Sequence, residues 1–150
     1  RVSMKVVSQD PRVQGLVAWF ERLQPESLDL LETFYTPEAE FKDPFNQVQG
    51  HDDIRGVFEH MFRALHDPRF VVHEAVVQGD SAFLVWDFLF RFRGMGSEVE
   101  QCVRGATHVR FAADGRVLLH RDYWDAAEEL YEKLLVVGSS MRWLKRRAST

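Results

Sequence analysis

The sequence predicts an α+β domain in which helices from the first half of the chain cover one face of a mainly antiparallel sheet from the second half. Three observations predict it. Up to Leu65, apolar residues recur at three- and four-residue steps, the spacing of amphipathic helices. From Phe70 the period drops to two, in four runs rich in β-branched and aromatic residues. Between those runs stand Gly79-Asp80, Gly94-Met95-Gly96 and Asp114-Gly115, each a hairpin turn signal.

The elements follow in order. Pro11 suits the first turn of a helix, and Val13, Leu16, Val17, Phe20 and Leu23 place one apolar stripe along it. After Gln24-Pro25, the positions Leu28, Leu31, Phe34 and Tyr35 predict a second helix ending near Thr36-Pro37. A short strand then runs from Ala39 to Asp43 and is stopped by Pro44. Alternation puts Phe41 and Asp43 on the same face, so an acid stands on an apolar face. Two readings of Asp43 stay open: a turn-capping carboxylate in an Asp-Pro turn, or an ionisable group presented to a cavity. Beyond Gly50, Ile54, Val57, Phe58, Met61, Phe62 and Leu65 mark a third helix over 51–65.

Four strands in a meander are expected over 70–77, 82–92, 102–111 and 116–124. In the second of them, Leu84, Trp86, Phe88 and Phe90 lie on one face and Phe83, Val85 and Leu89 on the other. Both faces need cover. Helices serve one; for the other, a homodimer packed sheet against sheet is expected. Asp125-Ala-Ala-Glu128 has the form of a capping box for a further helix through Leu130, Tyr131 and Leu134, ending at Gly138. The basic segment Met141–Arg147, in a short helix from about residue 139, either packs Trp143 or Leu144 on the body or meets an anionic membrane surface or a partner protein.

The totals bound the rest. A chain of 150 residues is expected to form a single domain, 1–150, with a core of its own. A formal charge of −4 argues against a nucleic-acid surface. One cysteine, Cys102, forms no intramolecular disulfide, and with no membrane-length apolar run and no signal-like start the expected setting is the cytoplasm. Aromatic residues make up 13% of the chain and need a cavity or an interface to occupy. The six histidines include no His-x-x-x-His pair, and no Gly-rich phosphate loop or nucleophile elbow is present, so no metal or cofactor is expected.

The segment Phe34-Tyr-Thr-Pro-Glu-Ala-Glu-Phe-Lys-Asp-Pro-Phe45, with Gln49-Gly50 and Ile54 behind it, resembles the corresponding stretch of bacterial ketosteroid isomerases and SnoaL-like polyketide cyclases of the nuclear-transport-factor-2-like superfamily. Val109-Arg110-Phe111, Asp114-Gly115-Arg116-Val117 and Tyr123-Trp124 resemble that superfamily's last hairpin. The resemblance spans roughly residues 16–124 and implies a cone-shaped sheet with N-terminal helices over its concave face. It implies that Asp43 stands where the isomerase keeps its general base. The isomerase's oxyanion donors, a Tyr and a protonated Asp, fall on Trp19 and Thr107 here, and neither matches the acidity of the group it replaces. The alignment also turns His120, Asp122 and Trp124 into the cavity, and alternation along the last strand independently puts these three on one face. His108 is expected on the opposite side, and one residue of register error would exchange it for His120.

Together these readings make Asp43, His120 and Asp122 the candidate catalytic groups. Trp19, Phe58, Phe62, Trp86, Phe88, Thr107 and Trp124 are the candidate ligand-binding wall for a small hydrophobic carbonyl compound. The plainer alternative pairs His120 and Asp122 as structural polar groups in a binding module without catalysis.

Overall fold

The computed structural model describes residues 6–125. Helix α1 spans Pro11–Glu21; the Asp10 carboxylate accepts from the Arg12 N–H at 2.9 Å and Pro11 opens the first turn, where its missing N–H is no loss. Val13, Leu16, Val17 and Phe20 are buried along one face of α1, as the spacing requires.

The second helix is shorter than the sequence predicts. A 3-10 segment over Pro25–Leu30 leads into a single turn, α2 (Leu31–Phe34), and strand β1 (Tyr35–Lys42) begins at once. Tyr35 is already extended, with φ −119° and ψ 141°, and Pro37 disfavours helical geometry at Thr36. The β-propensity of Tyr35-Thr36 and the restriction before proline therefore override the apolar spacing.

A short strand, β2 (Gln47–Gln49), returns antiparallel to β1, and α3 (His51–Ala64) follows. Gly50, at φ 94°, makes the turn between them while its N–H donates to the Ala39 carbonyl at 2.9 Å. Strands β3 (Leu65–Gln78), β4 (Ser81–Phe92), β5 (Gln101–Phe111) and β6 (Val117–Tyr123) form the expected meander. The order across the sheet is β2-β1-β6-β5-β4-β3, open at both edges. Strand β3 starts earlier than expected because Asp67 takes a left-handed φ of 52° and a register shift between His66 and Arg69 absorbs Pro68.

Strand β1 pairs with β6 in parallel, and three extra residues are taken up between Tyr35↔Val117 and Glu40↔Leu119. Pro37 lies in that irregular stretch. β2 reaches only Glu40 to Lys42, so the missing N–H of Pro37 interrupts no ladder on that side. The core lies between α1, α3 and the concave face, with Leu16, Ile54, Leu84 and Val109 almost fully buried. The convex face carries Phe83 at 44%, Val85 at 38% and Val76 at 56% exposure, so the two-faced apolar pattern of β4 is real. Among the described residues no helix is long and apolar enough to cross a membrane. The helix expected beyond Asp125 and the basic segment Met141–Arg147 lie outside the described residues.

Candidate functional site

Both readings of Asp43 hold in one structure. Its Oδ1 accepts from the backbone N–H groups of Phe45 at 2.8 Å and Asn46 at 2.6 Å, while its own N–H donates to the Asn46 carbonyl at 2.9 Å. This closes the turn from β1 to β2. The Asn46 side-chain amide reaches Oδ1 at 3.2 Å and Oδ2 at 3.3 Å, so Oδ2 is the less engaged oxygen. The same carboxyl also lines the main cavity. Burial raises its pKa above the ordinary carboxyl value, the turn hydrogen bonds from Phe45 and Asn46 oppose that, and the charge of Asp122 adds to the rise. The proximity of the two acids follows from sheet register. Lys42 stands opposite Arg121 in the β1–β6 pair, so the next residues, Asp43 and Asp122, are neighbours on adjacent strands.

Behind Asp122 lies a polar chain with two branches that meet at one of its oxygens. The Trp86 Nε1–H donates to Thr107 Oγ1 at 2.7 Å, and that hydroxyl donates to Asp122 Oδ1 at 2.6 Å. His120 Nε2 lies 2.7 Å from the same Oδ1, and the Tyr35 hydroxyl 2.8 Å from His120 Nδ1. A carboxylate only accepts, so His120 presents Nε2–H to Asp122 and leaves Nδ1 to accept from Tyr35. Tyr35 keeps its proton firmly: complete burial, and then the Asp122 charge, push the phenol well above its usual pKa. These bonds fix the Asp122 side chain beside Asp43. Among the described residues no hydrogen bond reaches Asp122 Oδ2.

The cavity has a volume of about 140 Å³ and opens beside Asp43 and Asp122. Phe58, Trp86, Phe88 and Trp124 line it as expected, with Phe70 stacked on Phe88 at 4.6 Å and edge-on to Trp86 at 5.6 Å. A smaller void of about 20 Å³ lies deeper, against Thr107, His120 and Asp122, above the roughly 10–15 Å³ a single water requires. His120 and Thr107 therefore face this inner void, and Asp122 faces both spaces. His108 points to the convex side, where its ring stacks on Phe83 at 4.6 Å.

Two residues expected on the wall are elsewhere. Trp19 is buried behind Phe58, edge-on at 5.9 Å and stacked on Phe34 at 5.0 Å, and its Nε1–H donates to the Ser27 carbonyl at 3.0 Å. That bond removes Trp19 as an oxyanion donor. Phe62 is also off the wall, because Val57, Phe58, Met61 and Ala64 form the cavity face of α3. Phe58 stands at one limit of that face, and four residues on the helix has turned about 40° beyond a full circle, carrying Phe62 past it.

The structure adds residues that sequence reasoning missed. Phe45 and Asn46 belong to the mouth, and Asp-Pro-Phe-Asn carried the signal, since an Asp followed by a turn commonly accepts from the next two backbone N–H groups. The apolar spacing puts Tyr35 at a helix end, whereas it opens β1. A buried tyrosine hydroxyl needs a partner, and His120 supplies it. His60 lines the cavity from α3 without any periodicity signal.

The fold and site together define a small α+β domain whose curved sheet and helical cover enclose an aromatic chamber with paired acids at its rim. The chain belongs to the SnoaL-like domain family, whose model matches residues 16–120. Its fold is nuclear-transport-factor-2-like, as many solved structures of that class superpose on it. One, a protein from Shewanella putrefaciens CN-32 classed as a SnoaL-like polyketide cyclase, is 17% identical, with a TM-score of 0.71 over 86% of this chain and 99% of that one. A protein of ketosteroid isomerase-like fold from Catenulispora acidiphila DSM 44928, solved in complex with trimethylamine, is 16% identical, with a TM-score of 0.69 over 82% of this chain and 92% of that one. TerC, co-crystallised with polyporic acid, is 17% identical, with a TM-score of 0.66 over 85% and 99% of the two chains. No curated protein matches the chain.

Proposed function

We propose that this chain is a cofactor-independent acid–base enzyme of isomerase or cyclase type, with Asp43 carrying the proton and a small hydrophobic carbonyl compound as substrate. One observation carries the reading. Asp43 lines an aromatic cavity beside a second carboxylate, and burial raises its pKa toward the range where a carboxyl can both take and return a proton. Asp43 Oδ2 removes a proton from the carbon next to the carbonyl, the electron pair moves into an enolate, and the same carboxyl returns the proton at another carbon. Asp122 keeps Asp43 basic by its charge. His120 and Tyr35 act through Asp122 as positioning residues, since both His120 nitrogens are engaged in the chain behind it. Two proteins of similar fold crystallised with small organic molecules, trimethylamine and polyporic acid, favour a small-molecule pocket here. The single cysteine accords with a cytoplasmic setting.

A second reading, a binding module without turnover, is favoured by a specific observation. Trp19, Trp86, Thr107 and His120 all commit their hydrogen-bond donors to other protein groups, which leaves none of them to hold an enolate oxygen. Proton exchange separates the two readings. Enolisable aryl ketones incubated with the protein in deuterated water take up label at the α-carbon if Asp43 is the base, and Asp43→Asn abolishes the uptake. Uptake that persists in the variant removes Asp43 from the chemistry.

We also propose that two copies associate through the convex face. The exposed Phe83, Val85 and Val76 support this, because side chains of that size on a sheet face lose less free energy against a partner than against water.

A further inference from the structure

We propose that the aromatic cavity is a receptor for a small organic ammonium ion, with the charged head between Asp43 and Asp122 at the rim and an apolar tail against Phe70 and Phe88. The inference shares with the reading above only the premise that this cavity binds a ligand.

Four observations point the same way. First, the ionisable groups on the cavity wall are two carboxylates and one imidazole, His60; among the described residues no lysine or arginine lines it. Second, the two acids give the rim of the cavity the hydrogen-bonding character of an acceptor. The donors of Trp86, Thr107 and His120 are committed, whereas Asp43 Oδ2 has only a long contact and Asp122 Oδ2 has none among the described residues. A ligand that brings its own N–H donors completes such a wall; one that needs donors does not. Third, aromatic rings surround the same place. Phe45 and Trp124 meet edge-to-face at 5.4 Å beside the two acids, and ring faces attract cations through their quadrupoles. Fourth, a volume of about 140 Å³ suits a tail of one ring, since an apolar cavity of about 150 Å³ holds benzene.

The charges outside the cavity do not reverse this. Lys42 and Arg121 flank the two acids in the open depression outside the cavity, together with Asp125. Arg121 alternates away from His120 and Asp122 along β6, and its guanidinium lies over the Tyr123 ring at 4.7 Å. It does not line the cavity itself. A cation seated between Asp43 and Asp122 also offsets the repulsion between their charges.

Three ligands of one shape test the proposal: 2-phenylethylammonium, 2-phenylethanol and phenylacetate, titrated calorimetrically into the protein at pH 7. The ammonium ion is expected to bind about tenfold or more tightly than the alcohol, and phenylacetate more weakly than either. Asp43→Asn, whose side-chain oxygen still closes the turn, and Asp122→Asn should each erase that preference, the ammonium ion losing more affinity than the alcohol. Equal or tighter binding of the alcohol or of phenylacetate overturns the cation preference and leaves the cavity as a ligand site. Binding of none of the three overturns both.

Discussion

Gly105 and Trp86 face each other across β4 and β5 with no room for a methyl group between them. A Cβ on Gly105 would lie 2.6 Å from Cη2 and 2.9 Å from Cζ2 of the indole, and 2.9 Å from Cβ of Trp124. The bare backbone at 105 lets the Trp86 ring lie down against the sheet and form one wall of the cavity. Gly105→Ala should lift that ring into the cavity and strain the Trp86–Thr107 hydrogen bond. The expected cost is about 1–3 kcal/mol of stability, as for other overpacked cores. Urea unfolding followed by tryptophan emission checks it, and a native variant should show weaker uptake of ring-sized ligands.

Asp43→Asn separates stability from chemistry. The folded carboxyl of Asp43 has its pKa raised above the ordinary value of 3.8, so the folded state binds that proton more tightly than the unfolded chain does. The resulting stability is present below the unfolded pKa and is lost as pH rises through the folded pKa. An Asn at this position never carries the buried charge. The variant should therefore exceed the wild type in thermal stability at pH 7, and the gap should close near pH 3. Thermal unfolding from pH 3 to pH 7 reads this directly. Proton-transfer activity should fall about 10²- to 10⁴-fold in the same variant.

Tyr35→Phe removes the donor to His120 Nδ1 and nothing else of comparable size. The imidazole nitrogen is then buried without a partner, which costs about 1–3 kcal/mol. If His120 positions Asp122, this variant should also shift the pH dependence of ligand binding, a change that lost packing alone would not produce. Chemical denaturation and a binding titration across pH give the two readings separately.

Phe83→Glu places a charge at the centre of the exposed convex patch, opposite His108 in the β4–β5 register. A protein that dimerises through this face should become monomeric, with its unfolding midpoint otherwise little changed because Phe83 is already half exposed. Light scattering at matched concentrations measures the mass. A wild-type chain that is monomeric at high micromolar concentration removes the convex-face dimer.

The fold was legible because its signals were local. The helical spacing from Val13 to Phe20, the period-two runs and the glycine-bearing turns each depend on neighbours in sequence, and each holds in the structure. What could not be read was set at long range. The parallel pairing of β1 with β6 joins residues some 80 apart, and it alone puts Asp43 beside Asp122 and Tyr35 within reach of His120. Alternation along β6 gave the right face for His120, Asp122 and Trp124, since period two survives any pairing. It could not say that His120 would face an inner void with both nitrogens engaged. The resemblance locates Trp19 as a position on α1, whereas the fate of its indole N–H depends on where the Ser27 carbonyl comes to rest.

The register of β1 against β6 works as a ruler. Backbone ladders fix how far apart the two acids stand, and the roof above them is a single helix whose Val57, Met61 and Ala64 contribute bulk but no charge. Span and headroom are therefore set by separate parts. Substitutions along that roof can retailor the chamber for guests of another girth while the acidic pair below keeps its separation.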